Sequence, residues 1–152
     1  TRLRRLDPDA SITVLERSGF VSYANCGLPY YVGGVIADQA SLLLQTPQSL
    51  DARFELDVRV DSDVTAINRD AKEVVVLHAG DEYRLPYDTL ILSPGAQPIV
   101  PPIPGIERAM TLRTVEDVKK IADAVAANPS SAVVIGGGFI GIESAENLVT
   151  LN

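Results

Sequence analysis

The sequence predicts an α/β fold carrying a small antiparallel β-meander, and three features predict it. Short apolar runs such as Ser11-Ile12-Thr13-Val14-Leu15-Glu16 and Ser131-Ala132-Val133-Val134-Ile135 have the length and β-branching of buried parallel strands. Segments with helical periodicity and capping residues alternate with them. Closely spaced extended pieces separated by short turns lie between, the pattern of a meander.

Residues 1–10 read as the basic last turn of a helix broken at Asp7-Pro8. The strand over 11–16 follows and closes on an acid. Next comes Ser22-Tyr23-Ala24-Asn25-Cys26-Gly27-Leu28-Pro29-Tyr30-Tyr31, set between the end of a predicted strand and the start of a predicted helix. Thr46 and Pro47 supply an N-cap and a first helical position, opening a helix that runs to about Phe54. Residues 58–60, 64–68 and 73–78 are rich in Val and Ile, with turns at Arg69-Asp70-Ala71-Lys72 and Ala79-Gly80-Asp81, and they form the expected meander.

A further apolar strand, Thr89-Leu90-Ile91-Leu92-Ser93, is broken by Pro94-Gly95. Prolines at 94, 98, 101, 102 and 104 exclude a helix or a central strand there, which places a domain boundary near residue 100. Beyond it, Thr114 caps a helix with Asp117 three residues on, and Val115, Val118, Ile121 and Val125 share one face through Ala127. The strand over 131–135 then runs straight into Gly136-Gly137-Gly138-Phe139-Ile140-Gly141.

Composition narrows the function classes. The chain has 152 residues, 46% hydrophobic and 22% charged, enough apolar material for a core. Its net charge of −7 comes from scattered acids, and no Lys/Arg-rich face would draw a phosphate backbone, so nucleic acid is not an expected partner. No apolar stretch approaches the roughly 20 residues of a membrane span. A single cysteine cannot form an internal disulfide, and the expected setting is reducing and cytoplasmic.

Gly136, Gly138 and Gly141 give G-x-G-x-x-G directly after a strand and directly before the helical run Ile142-Glu143-Ser144-Ala145-Glu146-Asn147-Leu148. That context is the one the dinucleotide fingerprint requires. The first glycine allows the tight turn, the second lets a pyrophosphate approach the backbone, and the third lets the helix pack closely on the strand. The residue that would select NAD over NADP, about 20 positions on, falls after Asn152.

Cys26 is the one candidate nucleophile of its kind. At a helix N-terminus the anionic form of a thiol is stabilised by unpaired N–H groups, although a lone cysteine is more often buried filler. Glu16, closing a strand, has the form of an acid that accepts hydrogen bonds from ribose hydroxyls, or of a solvated strand end. His78 has no metal-ligand cluster around it in the sequence and reads as a surface residue, with no metal expected. Tyr30 and Tyr31 read as packing residues. Glu143 and Glu146 read as a solvated face, with Glu143 near the nucleotide turn.

The order of a strand ending in Glu16, Ser22-Tyr23-Ala24-Asn25-Cys26-Gly27-Leu28-Pro29, the meander, Tyr87-Asp88-Thr89-Leu90-Ile91-Leu92-Ser93-Pro94-Gly95-Ala96 and Gly136 to Gly141 resembles the pyridine nucleotide-disulfide oxidoreductases. Within them it is most similar to the single-cysteine coenzyme A-disulfide reductase branch. The resemblance implies a Rossmann-like FAD-binding domain with an inserted antiparallel meander over 1–100, lacking its first strand and glycine loop. It implies the start of a second, NAD(P)-binding Rossmann domain over 101–152. Cys26 is then the redox nucleophile, Glu16, Ser93, Pro94 and Gly95 meet FAD, and Gly136, Gly138 and Gly141 cradle the NAD(P)H pyrophosphate. Arg5, Ser22 and Asn25 match the positions that contact coenzyme A.

The same resemblance implies an FAD-dependent NAD(P)H:disulfide oxidoreductase acting on coenzyme A disulfide, with a homodimeric parent protein. Family members with two cysteines store electrons in a C-x4-C disulfide, and this chain has no second cysteine. Cys26 is therefore expected to cycle through a mixed disulfide with a small thiol or through sulfenic acid. NADH oxidase, peroxidase and persulfide reductase activities of the same family stay open, as does a non-catalytic, redox-sensing nucleotide-binding module. The cut helices at both ends lead to the expectation of an internal fragment of a larger protein.

Overall fold

The structure is a computed structural model that describes residues 1–127 and 129–151. In chain order the elements are α1 (Arg2–Leu6), β1 (Thr13–Leu15), β2 (Ser22–Tyr23), a 3-10 turn (Asn25–Gly27), α2 (Leu28–Val32), a second 3-10 turn (Gln39–Leu42), β3 (Leu43–Gln45), α3 (Pro47–Phe54), β4 (Asp57–Arg59), β5 (Ser62–Asn68), β6 (Glu73–His78), β7 (Asp81–Pro86), a third 3-10 turn (Ile106–Arg108), α4 (Val115–Ala126) and α5 (Phe139–Val149). They form two units interleaved in sequence, one from residues 1–22 and 45–94 and the other from 23–44 and 95–152. Helices and sheets are mixed, consistent with the α/β expectation.

In the first unit β1 and β4 pair in parallel, Thr13 opposite Asp57 and Leu15 opposite Arg59. The piece at 58–60 was expected in the meander, and the structure corrects this. Parallel pairing needs a long crossover, which the chain between β1 and β4 supplies, with α3 in it. Only Val60 and Asp61 separate β4 from β5, and Asp61 takes a left-handed φ of 50° to turn the chain. The meander is instead β5-β6-β7, antiparallel throughout, with a register shift between Val64 and Ala66. The sequence reading stopped at His78 and missed β7, because Asp81-Glu82-Tyr83-Arg84-Leu85-Pro86 has only Tyr83 and Leu85 on its half-buried face. Val74 and Val76 of β6 are buried and anchor the meander, with Leu56 buried ahead of β4.

Helix α3 starts where Thr46 and Pro47 predict. Thr46 Oγ1 accepts from Ser49 N–H at 3.1 Å, and Ser49 Oγ accepts from Thr46 N–H at 2.9 Å, a reciprocal cap. The helix ends at Glu55, in left-handed conformation. Arg4 caps that end: its guanidinium donates to the carbonyls of Phe54 and Glu55, each at 2.9 Å, and to those of Pro8 at 2.7 Å and Ala10 at 2.6 Å. A cation is stabilised by the unpaired carbonyls of a helix C-terminus.

The second unit is built on Leu28, Val32, Leu42 and Val118, all buried. Tyr23, Tyr31, Ile36, Leu112, Ile121, Val125 and Leu148 pack around them. Helix α4 has the predicted start, with Thr114 Oγ1 accepting from Asp117 N–H and Asp117 Oδ2 accepting from Thr114 N–H, both at 3.2 Å. Of its apolar stripe, Val118, Ile121 and Val125 join this core, and Val115 is buried. Helix α2 packs on α4 and on α5, and Gly33 at its end lies against the buried Asn147 of α5.

Two predicted strands are absent. Residues 89–93 and 131–135 are irregular, and their apolar side chains are exposed, Ile91 at 73% and Val133 at 87%. A strand exists only where a neighbour completes its ladder, and among the described residues nothing pairs with either run. Their apolar β-branched character states what they are built to do, and the described chain holds no strand to pair with them.

Candidate functional site

Cys26 sits in the 3-10 turn Asn25–Gly27, with the α-helix beginning only at Leu28. The thiol is free and exposed, whereas Leu28 and Pro29, directly after Gly27, are buried. A methyl group on Gly27 would lie 2.9 Å from Leu42 Cδ2 and 3.2 Å from Ile36 Cδ1, so the turn rests directly on the core. Ala24 N–H bonds to Leu42 C=O at 2.8 Å and Gly27 N–H to Ala24 C=O at 2.9 Å, fixing the backbone on either side of the sulfur. The result is an exposed thiol on a rigid base. Helix α2 has five residues, so the helix predicted to start at Cys26 is one short segment that begins two residues after it.

Asn25, exposed beside Cys26, accepts from Arg113 Nη1 through Oδ1 at 3.4 Å. Ser22 lies in β2, where that strand leads into the cysteine turn. Arg5 is exposed on α1 with no side-chain partner among the described residues. Tyr31 packs against the second unit's core and Tyr30 is 42% exposed.

Glu16 extends the β1–β4 ladder by one residue. Its N–H donates to Arg59 C=O and its C=O accepts from Ser62 N–H, each at 2.9 Å. The half-buried carboxylate accepts from Ser18 N–H through Oε1 at 2.8 Å, and its second oxygen has no partner among the described residues. That oxygen is a free acceptor, suited to a ribose hydroxyl. Ser93, Pro94 and Gly95 are exposed and irregular, and Gly95 has φ 72°.

The glycine turn leads into α5 without the strand expected before it. Gly136 adopts φ 112°, open to glycine without strain. A methyl group on Gly141 would run into the carbonyl oxygen of Gly136, so the helix and the turn touch backbone to backbone. Gly138 is the N-cap of α5 and offers no side chain to its first N–H groups. Nothing lies within 4 Å of a methyl group on Gly137 or Gly138. Unpaired N–H groups facing open space at a helix start fit a pyrophosphate. Glu143 is half-buried and Glu146 exposed on the same helix.

The structure brings Asn25 next to Cys26 and Gly136 against Gly141 within the second unit, which also holds Gly138 and Gly95. Arg5, Glu16, Ser22, Ser93 and Pro94 belong to the first. An open surface depression of about 600 Å³ in the first unit, lined by Gln48, Arg59, Ser62, His78 and Tyr83 among others, includes none of the predicted site residues. Arg59 within it is bound to Asp57 at 2.6 Å and donates to Tyr83 Oη at 3.2 Å. His78 is exposed, its Nδ1 3.0 Å from Asp61 C=O. Sequence reasoning missed Arg113 and Gly27. The pairing of Arg113 with Asn25 spans 88 positions, and no local pattern carries it.

The described chain thus presents an exposed cysteine on a braced turn and a glycine-lined helix start. The chain belongs to the pyridine nucleotide-disulphide oxidoreductase family, whose model matches residues 1–152. It is 37% identical over 146 residues to an NADH oxidase from Enterococcus faecalis, covering 93% of this chain and 32% of that protein. It is also 37% identical over 153 residues to a coenzyme A disulfide reductase from Staphylococcus aureus, covering 97% of this chain and 34% of that protein. Among solved structures it is similar to reduced Bacillus anthracis CoADR-RHD, with a TM-score of 0.94 and 49% identity over 98% of this chain and 28% of that one. A NAD-dependent persulfide reductase from A. fulgidus matches with a TM-score of 0.93 and 41% identity, over 99% of this chain and 29% of that one. The chain thus spans about a third of the length of the curated relatives it matches, 32% and 34%. Among the described residues no helix is long and apolar enough to cross a membrane.

Proposed function

We propose that this chain is the part of an FAD-dependent NAD(P)H:disulfide oxidoreductase that carries the redox thiol, and that its substrate is coenzyme A disulfide. The observation that carries the reading is Cys26: the chain's one cysteine, exposed, on a turn fixed from both sides, next to a polar amide. No second cysteine lies in these 152 residues, and in this reading the other sulfur of the disulfide comes from the substrate.

In this reading the Cys26 thiolate attacks one sulfur of the substrate disulfide. An S–S bond forms to Cys26, the substrate S–S bond breaks, and one coenzyme A leaves as a thiolate that takes a proton. FAD, when bound, supplies the two electrons from NAD(P)H that cleave the mixed disulfide. The second coenzyme A thiol is then released and Cys26 returns to its thiolate. Glu16 would offer its free carboxylate oxygen to the FAD ribose, and Ser93, Pro94 and Gly95 would help to hold the FAD. Gly136, Gly138 and the start of α5 hold the coenzyme pyrophosphate, with Gly141 setting the closeness of turn to helix. Arg5, Ser22 and Asn25 hold the coenzyme A moiety. The proposed domains are FAD-binding over 1–100 and NAD(P)-binding from 101, in a homodimeric cytoplasmic enzyme.

The similarity to a persulfide reductase at 41% identity favours a second reading, in which Cys26 accepts a sulfane sulfur rather than a thiol. Assay of the full-length holoenzyme with NAD(P)H and either coenzyme A disulfide or a coenzyme A persulfide separates them. Faster turnover of the disulfide supports the first reading, and turnover of the persulfide alone replaces it with the second.

A further inference from the structure

Arg113 stands just before the N-cap of α4 and is held at both ends. Its N–H donates to Asp117 Oδ2 at 3.2 Å, and its C=O accepts from Tyr23 Oη at 3.4 Å. Its side chain reaches back to Asn25 Oδ1 at 3.4 Å, the long end of hydrogen-bonding distance. One residue therefore touches the cysteine segment twice, at Tyr23 and at Asn25. The reciprocal cap of Thr114 and Asp117 anchors that residue to the start of α4.

The chemistry of the pair restricts it further. A guanidinium carries five N–H donors and no acceptor, whereas an asparagine amide carries one of each kind of group. Arg113 accepts only one orientation of Asn25, with the carbonyl oxygen toward the guanidinium. The NH2 group is then what Asn25 has to offer elsewhere, on the same turn as the exposed sulfur. Without Arg113 the amide is free to rotate and present either group.

We propose that Arg113 is a positioning residue that fixes Asn25 as a hydrogen-bond donor beside Cys26, selecting disulfides that carry an amide carbonyl close to the sulfur. Resting on the coenzyme A reading above, this identifies the amide of a pantetheine-type arm as the group that Asn25 recognises. The step concerned is the first exchange: a bond forms between Cys26 Sγ and one substrate sulfur, the substrate S–S bond breaks, and the departing thiolate takes a proton.

The test uses the full-length holoenzyme, reduced beforehand. Formation of the Cys26 mixed disulfide is followed by mass spectrometry with two probes, pantethine and bis(2-hydroxyethyl) disulfide, which lacks the amide. Releasing the Asn25 side chain, which each substrate must then order again, predicts that Arg113→Met slows reaction with pantethine about threefold to tenfold. With the hydroxyethyl probe the rate stays within about twofold, the range of a neutral surface change. In an Asn25→Ala background, Arg113→Met has no further effect, because the two residues act as one. Equal slowing with both probes, an undiminished effect in the Asn25→Ala background, or no effect at all overturns the proposal. Failure of the coenzyme A reading shows separately, as absence of NAD(P)H-driven coenzyme A disulfide reduction by the unsubstituted enzyme.

Discussion

Substituting Gly141 with alanine drives a methyl group into the carbonyl oxygen of Gly136, with the carbonyl carbon 3.2 Å and Val134 Cγ1 3.4 Å away. The obstacle is backbone, so no side-chain rotation relieves it. Either α5 or the turn at 136–138 has to move, and Gly136 already occupies φ 112°. Overpacking of this kind costs about 1–3 kcal/mol. If relief comes from displacing the turn from the α5 N–H groups, coenzyme affinity falls roughly 5- to 150-fold. Gly137→Ala is the control, because a methyl group there meets nothing within 4 Å. The assay is calorimetric titration of NAD+ into the full-length holoenzyme and both variants. Binding by Gly141→Ala equal to that of the unsubstituted enzyme refutes the reasoning, as does an equal loss in Gly137→Ala.

Leu42→Ala removes a side chain with 0% exposure at the centre of the second unit, beneath the cysteine turn, and is expected to cost about 2–5 kcal/mol in urea unfolding. Its alkylation of Cys26 by iodoacetamide should also change, because Gly27 rests on that leucine. The hydrogen bonds and charge of Arg59 hold the Asp57 carboxyl below its ordinary value of 3.8. A value lowered on folding stabilises the folded state above the unfolded value and is lost as pH falls through the folded one, so this pair contributes at neutral pH and fades below about pH 4. Both side chains are more than a third exposed, 36% for Arg59 and 48% for Asp57, and after solvent screening Asp57→Asn should cost only about 0.2–1 kcal/mol at pH 7. Melting temperatures of the two proteins should converge as pH falls through the lowered folded value, and in high salt.

The helix starts were the most legible part of the sequence, because a cap is written within four residues. Thr46 with Pro47, and Thr114 with Asp117, begin helices where they predict, and the apolar stripe from Val115 to Val125 faces a core. Gly136 and Gly141 stood out by their spacing, yet the third glycine, expected to let the helix pack on a strand, meets the Gly136 carbonyl instead, because no strand forms over 131–135. Pairing between strands was not legible. The piece at 58–60 has the composition of a meander strand, yet it pairs with β1 across an intervening crossover, and only the three-dimensional register decides between partners. The runs at 89–93 and 131–135 read as strands from composition, but a strand requires a neighbour that composition does not supply. Cys26 was found by its position, whereas Arg113 was invisible because its link to Asn25 depends on how α4 packs against α2.

The central claim is that Cys26 takes the second sulfur from its substrate. The most direct measurement is intact mass spectrometry of the full-length holoenzyme after reaction with coenzyme A disulfide, alongside its NAD(P)H-dependent turnover, for the unsubstituted protein and Cys26→Ser. The account predicts one coenzyme A attached per chain, released by NAD(P)H, with adduct and turnover both lost in the variant. Turnover that persists in Cys26→Ser, or an unsubstituted enzyme that turns over coenzyme A disulfide without ever carrying the adduct, contradicts it.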